Sequence, residues 1–118
     1  MRLCHLSLAV TEQARSRRFY ERYFGFACDG EPDGEGCLHL TDADDFDMTL
    51  APGPVVSPPS SLHFGIRVAD AESVRRLLER LIEDGVQAGD LYDGGSRVAF
   101  QCADPDGYRV EVFWSVGG

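Results

Sequence analysis

The chain repeats itself. Four landmarks recur at one constant offset: His5 and His63, Val10 and Val68, Arg17-Arg18 and Arg75-Arg76, Glu21-Arg22 and Glu79-Arg80. The helical cores follow at the same offset, with Phe19-Tyr20 against Leu77-Leu78 and Tyr23-Phe24 against Leu81-Ile82. A unit this short cannot bury a sheet face alone, so the repeat predicts two like modules that pair.

Each copy reads strand, helix, then three strands. Cys4 to Val10 alternates apolar and polar residues as a half-buried strand does, with Leu6, Leu8 and Val10 on one face. Thr11 is placed to cap a helix whose Phe19, Tyr20, Tyr23 and Phe24 share a face, and Gly25 permits its left-handed stop. Strands are predicted over 26–29, 37–41 and 46–51. The hairpin carrying Asp42, Asp44 and Asp45 reads as a solvated loop, since it lacks the spacing of a calcium loop. The prolines of the stretch 53–60 fix φ and lack donors, which marks a linker. Module one is therefore 1–52 and module two 61–118, together one domain. In module two Leu62 to Val68 is a strand. Asp70 caps a helix that turns Val74, Leu77, Leu78, Leu81 and Ile82 inward, and strands follow over 86–92, 97–102 and 108–114. The class is α+β, two βαβββ modules.

Composition removes several function classes. Across 118 residues the net charge is -9 and every basic side chain is arginine, so no lysine-rich stripe exists to neutralise phosphates, and nucleic acid is not an expected partner. No run of some 18 apolar residues suggests a membrane span, and the amino end has no signal-like apolar run, which points to the cytoplasm. Cys4, Cys28, Cys37 and Cys102 form no Cys-x-x-Cys pair and read as reduced core thiols.

If the apolar alternate residues face the helices, the other sheet face is determined. It collects His5, Ser7, His39, Thr41, Asp47 and Thr49 from module one, and His63, Arg67, Arg97, Gln101, Arg109, Glu111 and Phe113 from module two. All three histidines of the chain fall on it. Two imidazoles and a carboxylate, here His5, His63 and Glu111, form a facial set that holds a divalent Fe, Mn, Zn or Ni ion and leaves positions open. The same residues also fit a plainer arrangement, in which the histidines are satisfied polar groups and Glu111 pairs with Arg109 or Arg67. Arg67, Arg97 and Arg109 are candidates for orienting an anionic group, or for balancing acidic surroundings.

The start His5-Leu6-Ser7-Leu8-Ala9-Val10, the helix end Phe19-Tyr20 to Phe24-Gly25-Phe26, His63, and the turn Asp104-Pro105-Asp106-Gly107 before Val110-Glu111-Val112 resemble the vicinal oxygen chelate superfamily. That group comprises glyoxalases, bleomycin-resistance proteins and extradiol dioxygenases, and the resemblance covers essentially the whole chain. It implies paired modules whose mixed sheet curls around an open cleft, and a homodimer in which many members exchange modules. It implies a metal at His5, His63 and Glu111 that a small oxygen-rich substrate chelates. Ser7, His39, Thr49, Arg67, Arg97, Gln101, Arg109 and Phe113 then line the site.

Glyoxalase I-like members carry a second glutamate where this chain has Thr49. The three-ligand pattern is nearer to the fosfomycin-resistance thiol transferases, whose phosphonate pocket uses a lysine this chain lacks. A metal-dependent lyase, isomerase or transferase is the leading expectation. A drug-sequestering protein of the bleomycin-resistance kind, gripping an aromatic antibiotic through Phe113 and Trp114, is the alternative. A ring-cleaving dioxygenase, with His39 as its acid–base group, ranks behind both.

Overall fold

The computed structural model describes residues 1–117. The chain divides into two compact units, Met1–Ser57 and Pro58–Gly118, and the division falls inside the proline-rich stretch. The first unit contains β1 (His5–Val10), α1 (Gln13–Phe24), β2 (Ala27–Cys28), β3 (Leu38–Thr41) and β4 (Asp47–Pro52). The second contains β5 (His63–Arg67), α2 (Ala71–Glu83), β6 (Tyr92–Asp93), β7 (Arg97–Ala103) and β8 (Arg109–Ser115). Each unit is a βαβββ module with a four-stranded mixed sheet, ordered β1-β4-β3-β2 and β5-β8-β7-β6. In both, the first strand lies parallel to the last, and the last is antiparallel to the third.

Alternation sorts each sheet into two faces. In the first unit Leu8, Val10, Leu40, Met48 and Leu50 are buried with Phe19 and Tyr20 of α1. The rings of Phe19, Tyr20, Tyr23 and Phe24 meet at centroid distances of 5.1 to 6.5 Å, mostly edge to face or tilted. In the second unit Val98, Phe100, Val110 and Val112 are buried along with Val74 and Leu81 of α2. Full burial of a valine such as Val110 or Val112 contributes about 1.5–3 kcal/mol relative to exposure.

Several local expectations are corrected. Helix α1 starts at Gln13 with Glu12 at its N-cap, and no side chain caps it. Its first turn is tied down instead by the Gln13 amide, which donates to the carbonyls of Gly36 (2.6 Å) and Leu50 (2.9 Å). Ile82 is 58% exposed, because the apolar stripe of α2 closes at Leu81 one position earlier. The strand expected over 86–92 survives as β6 and one isolated bridge, Ala88 to Cys102. Gly89 and Asp90 disfavour extended structure between them. Of the four cysteines only Cys102 is buried, and burial pushes its thiol up to about 12. Asp70 does cap α2, accepting from the Ser73 amide at 2.7 Å. No helix among the described residues is long and apolar enough to cross a membrane.

The acidic hairpin is exposed at Asp44 and Asp45, as a solvated loop is, and Asp42 also builds its turn. Asp42 Oδ1 accepts from the amides of Asp44 and Phe46, both at 2.9 Å, and Asp104 Oδ1 accepts from those of Asp106 and Tyr108 at the same distances. Asp33 repeats the pattern with Glu35 (2.8 Å) and Cys37 (3.0 Å). One carboxylate oxygen thus satisfies two amides that a tight turn would leave bare. The fourth residue of the turn takes positive φ, 89° at Gly107 and 63° at Asp45. Asp45 is the one described non-glycine residue to do so.

Replacing Asp104, which is 5% exposed, with Ala removes both turn bonds and lowers stability by about 1–3 kcal/mol in denaturant unfolding. Asp45→Gly moves the other way, by up to ~1 kcal/mol, since a positive φ costs an L-residue ~1–2 kcal/mol and glycine returns part of that as chain entropy.

Candidate functional site

Parallel pairing of first and last strands decides which open-face side chains stand side by side. In the first unit His5 is in register with Asp47 and Ser7 with Thr49, while across the antiparallel pair Thr49 faces His39 and Asp47 faces Thr41. In the second unit His63 is in register with Arg109, Gly65 with Glu111 and Arg67 with Phe113, and Glu111 faces Gln101. The repeat therefore equates His5 with His63, Asp47 with Arg109, and Thr49 with Glu111.

In the first unit these residues form a run of alternating carboxylates and imidazoles. His39 Nε2 lies 2.7 Å from Asp33 Oδ2, His39 Nδ1 lies 3.2 Å from Thr49 Oγ1 and 3.7 Å from Asp47 Oδ1, and His5 Nδ1 lies 3.1 Å from Asp47 Oδ2. An ionised carboxylate only accepts, so His39 donates from Nε2 and His5 from Nδ1. That tautomer leaves Nε2 of His5 uncommitted. Asp47 Oδ1 is buried and makes no hydrogen bond. The hydrogen bond to Asp33, with the charges of Asp33 and Asp47, raises the His39 pKa above its ordinary 6.5 despite an opposing desolvation. Reciprocally, the bond from His39 and the amides of Cys37 and Glu35 hold Asp33 at about 2.

The open face of the second unit is arginine-rich. Arg97 Nη2 donates to Glu111 Oε2 at 2.9 Å, so the partner of Glu111 is Arg97 and not Arg67 or Arg109. Arg67 donates to Ser115 O (3.2 Å) and Ser115 Oγ (2.8 Å). The Phe113 ring carries both guanidinium groups, with Arg67 Cζ at 5.1 Å and Arg97 Cζ at 4.8 Å from its centroid. A Cβ at Gly65 would stand 3.1 Å from that ring. Glycine at the position of Ser7 in the first module is what lets Phe113 lie there. A groove of about 550 Å³ in this unit is lined by Gln101, Arg109, Glu111, Tyr92 and the 87–90 segment.

Within either unit, among the described residues, no three His, Cys, Asp or Glu side chains gather as a metal site. The expected residues therefore assemble in two groups: His5, Ser7, His39 and Thr49 in one module, His63, Arg67, Arg97, Gln101, Arg109, Glu111 and Phe113 in the other. Asp33 was not anticipated. It lies in a turn whose only signal is the Asp-x-x-Gly spacing shared with Asp104. The partnership of Asp47 with His5 was likewise hidden until the parallel register was known.

The sequence model of the Glyoxalase/Bleomycin resistance protein/Dioxygenase superfamily matches residues 2–112. Among solved structures, a possible glyoxalase from Bacillus cereus is 31% identical over 95% of this chain and 97% of its own, with a TM-score of 0.83. The genomically encoded fosfomycin resistance protein FosX from Listeria monocytogenes shares the fold at 16% identity, with 99% and 95% coverage and a TM-score of 0.85. A glyoxylase/bleomycin resistance protein/dioxygenase domain from Frankia sp. EAN1pec does so at 18% identity, with 98% of each chain covered and a TM-score of 0.83. No curated protein matches the chain.

The raised His39 pKa means that its ion pair contributes stability fully below pH 6.5 and loses it as pH rises through the folded value; the lowered Asp33 value contributes above pH 3.8 and is lost toward about 2. In an NMR titration, Asp33→Asn is expected to bring the His39 midpoint down toward 6.5. An unmoved His39 midpoint contradicts the assigned bond.

Proposed function

The chain belongs to the glyoxalase/bleomycin resistance protein/dioxygenase superfamily, and on that premise we propose that it is a divalent-metal-dependent enzyme acting on a small oxygen-rich substrate, with His5, His63 and Glu111 as the metal ligands. The observation that carries this reading is that each of the three keeps a donor atom free. His5 commits only Nδ1, to Asp47. Glu111 commits only Oε2, to Arg97, and the His63 side chain makes no hydrogen bond or ion pair among the described residues. Two neutral imidazoles and one carboxylate suit Mn, Fe, Zn or Ni without a thiolate.

A metal ion held there supplies Lewis acidity, polarising a substrate oxygen and stabilising charge that develops on it. The chain's own groups do the rest. Asp47 fixes the tautomer and ring orientation of His5, as a carboxylate behind a ligating imidazole does. Arg97 steadies Glu111 by one oxygen and leaves the other to face the site. Thr49, in the place of a second glutamate, keeps the protein ligand set at three and leaves positions for substrate, which favours lyase, isomerase or transferase chemistry over that of glyoxalase I. Ser7 and Gln101 supply hydroxyl and amide groups for substrate oxygens. The family likeness adds a homodimer to this reading, with or without exchanged modules, so that the donors of the two modules come from one chain or from two.

The Arg97–Glu111 pair favours a second reading. Glu111 already has a cation, so the fold does not require a metal, and an open face bearing Phe113 between two guanidinium groups suits sequestration of an aromatic drug without chemistry. The carbon-ring-cleaving reading is weaker, since it requires His39 for acid–base work and His39 is held between Asp33 and Thr49.

Calorimetric titration of zinc into protein stripped of metal distinguishes these readings. The enzyme reading expects one ion per site in the wild type, loss of binding in His63→Ala and Glu111→Gln, and an affinity weakened about 10- to 100-fold in Asp47→Asn. Equal binding by all four proteins, or none, contradicts it.

A further inference from the structure

The two modules place their open-face histidines on equivalent rungs, yet the residues beside them carry opposite charge. Beside His5 stands Asp47, which accepts from the imidazole. Beside His63 stands Arg109, which has no acceptor to offer. The three arginines of this face differ in what they are doing. Arg97 holds Glu111 and Arg67 holds Ser115, and both rest on Phe113. Arg109 is exposed, and its side chain makes no hydrogen bond or ion pair among the described residues. It is thus the uncommitted guanidinium of the face, and it lines the groove of about 550 Å³ together with Gln101 and Glu111. Asp90, also in that lining, and Glu111 are the groove's carboxylates, and Glu111 is already neutralised by Arg97.

We propose that Arg109 anchors an oxyanion of the substrate, a carboxylate or a phosphonate-type group on a small molecule seated in this groove. The proposal rests on the metal-site reading above and narrows it to a substrate class. A guanidinium presents paired N–H donors in a planar fork that matches such a group bidentately. Electrostatics gives the arginine a reason to be there. Of the two guanidinium groups nearest Glu111 the carboxylate offsets that of Arg97, so the charge of Arg109 is left for an anion to meet, with Asp90 the groove's one other carboxylate. The first module has no such excess, because Asp47 occupies the equivalent position.

Benzoate and phenylphosphonate are titrated into metal-free wild type, Arg109→Gln and Arg76→Gln, with benzamide as the neutral control. Arg76 lies exposed on α2 and reports on diffuse positive charge. At least one anion is expected to bind the wild type and benzamide not to bind. Arg109→Gln is expected to weaken that anion about 10- to 100-fold, and Arg76→Gln to leave it within about twofold. Anion affinity unchanged in Arg109→Gln, or weakened equally by Arg76→Gln, or absent from the wild type, overturns the proposal. A zinc titration of the same proteins separates the two claims. Zinc bound normally with anion affinity indifferent to Arg109 removes this assignment alone; anion binding that depends on Arg109 with no zinc bound anywhere upholds it and removes the metal reading.

Discussion

Pairing of the first strand with the last, parallel and in a fixed register, is the constraint on which the rest of each module depends. A parallel neighbour cannot be reached through a tight turn, so the intervening helix and two strands are the connection that makes it. Once β1 lies on β4 and β5 on β8, every open-face partnership follows: His5 with Asp47, Ser7 with Thr49, His63 with Arg109, Gly65 with Glu111. A slip of one residue would turn these side chains into the core and the valines out of it. Val110 and Val112, both fully buried, hold the register of β8 and so fix where Glu111 points.

The same frame has diverged in charge between its two copies. In the first module carboxylates and imidazoles alternate from Asp33 through His39 and Asp47 to His5, a run that orients a histidine. In the second, two arginines rest on one aromatic ring and one of them holds the glutamate, with Gly65 making room for Phe113. The proposed metal site draws on both copies, taking an oriented imidazole from the first and an imidazole and a carboxylate from the second.

Much of this was legible from residues alone. The repeat, the two βαβββ modules, the Asp70 cap and the faces of all the longer strands follow from period and spacing, because burial on one side enforces alternation. What stayed hidden was anything set by partners far apart in the chain. The plainer alternative for Glu111 paired it with Arg109 or Arg67, its neighbours along or beside the strand, whereas Arg97 reaches it from β7. The start of α1 eluded propensity because Gln13 is anchored by two distant carbonyls rather than by a local cap. Asp42 read only as part of a solvated loop, since the bonds it accepts from the Asp44 and Phe46 amides depend on turn geometry that spacing does not give. Ile82 fits the helical stripe by spacing and lies outside it by one step of rotation.

The central claim is that His5 and His63, on equivalent strands of the two modules, serve one metal ion with Glu111. The anomalous difference map of crystals grown with zinc tests it most directly. The account predicts a single strong peak about 2.0–2.2 Å from an imidazole nitrogen of His5, one of His63 and a carboxylate oxygen of Glu111, the two histidines coming from one chain or from two subunits. Zinc bound at either histidine without the other, or no peak at Glu111 while its ion pair with Arg97 persists unchanged, would contradict it.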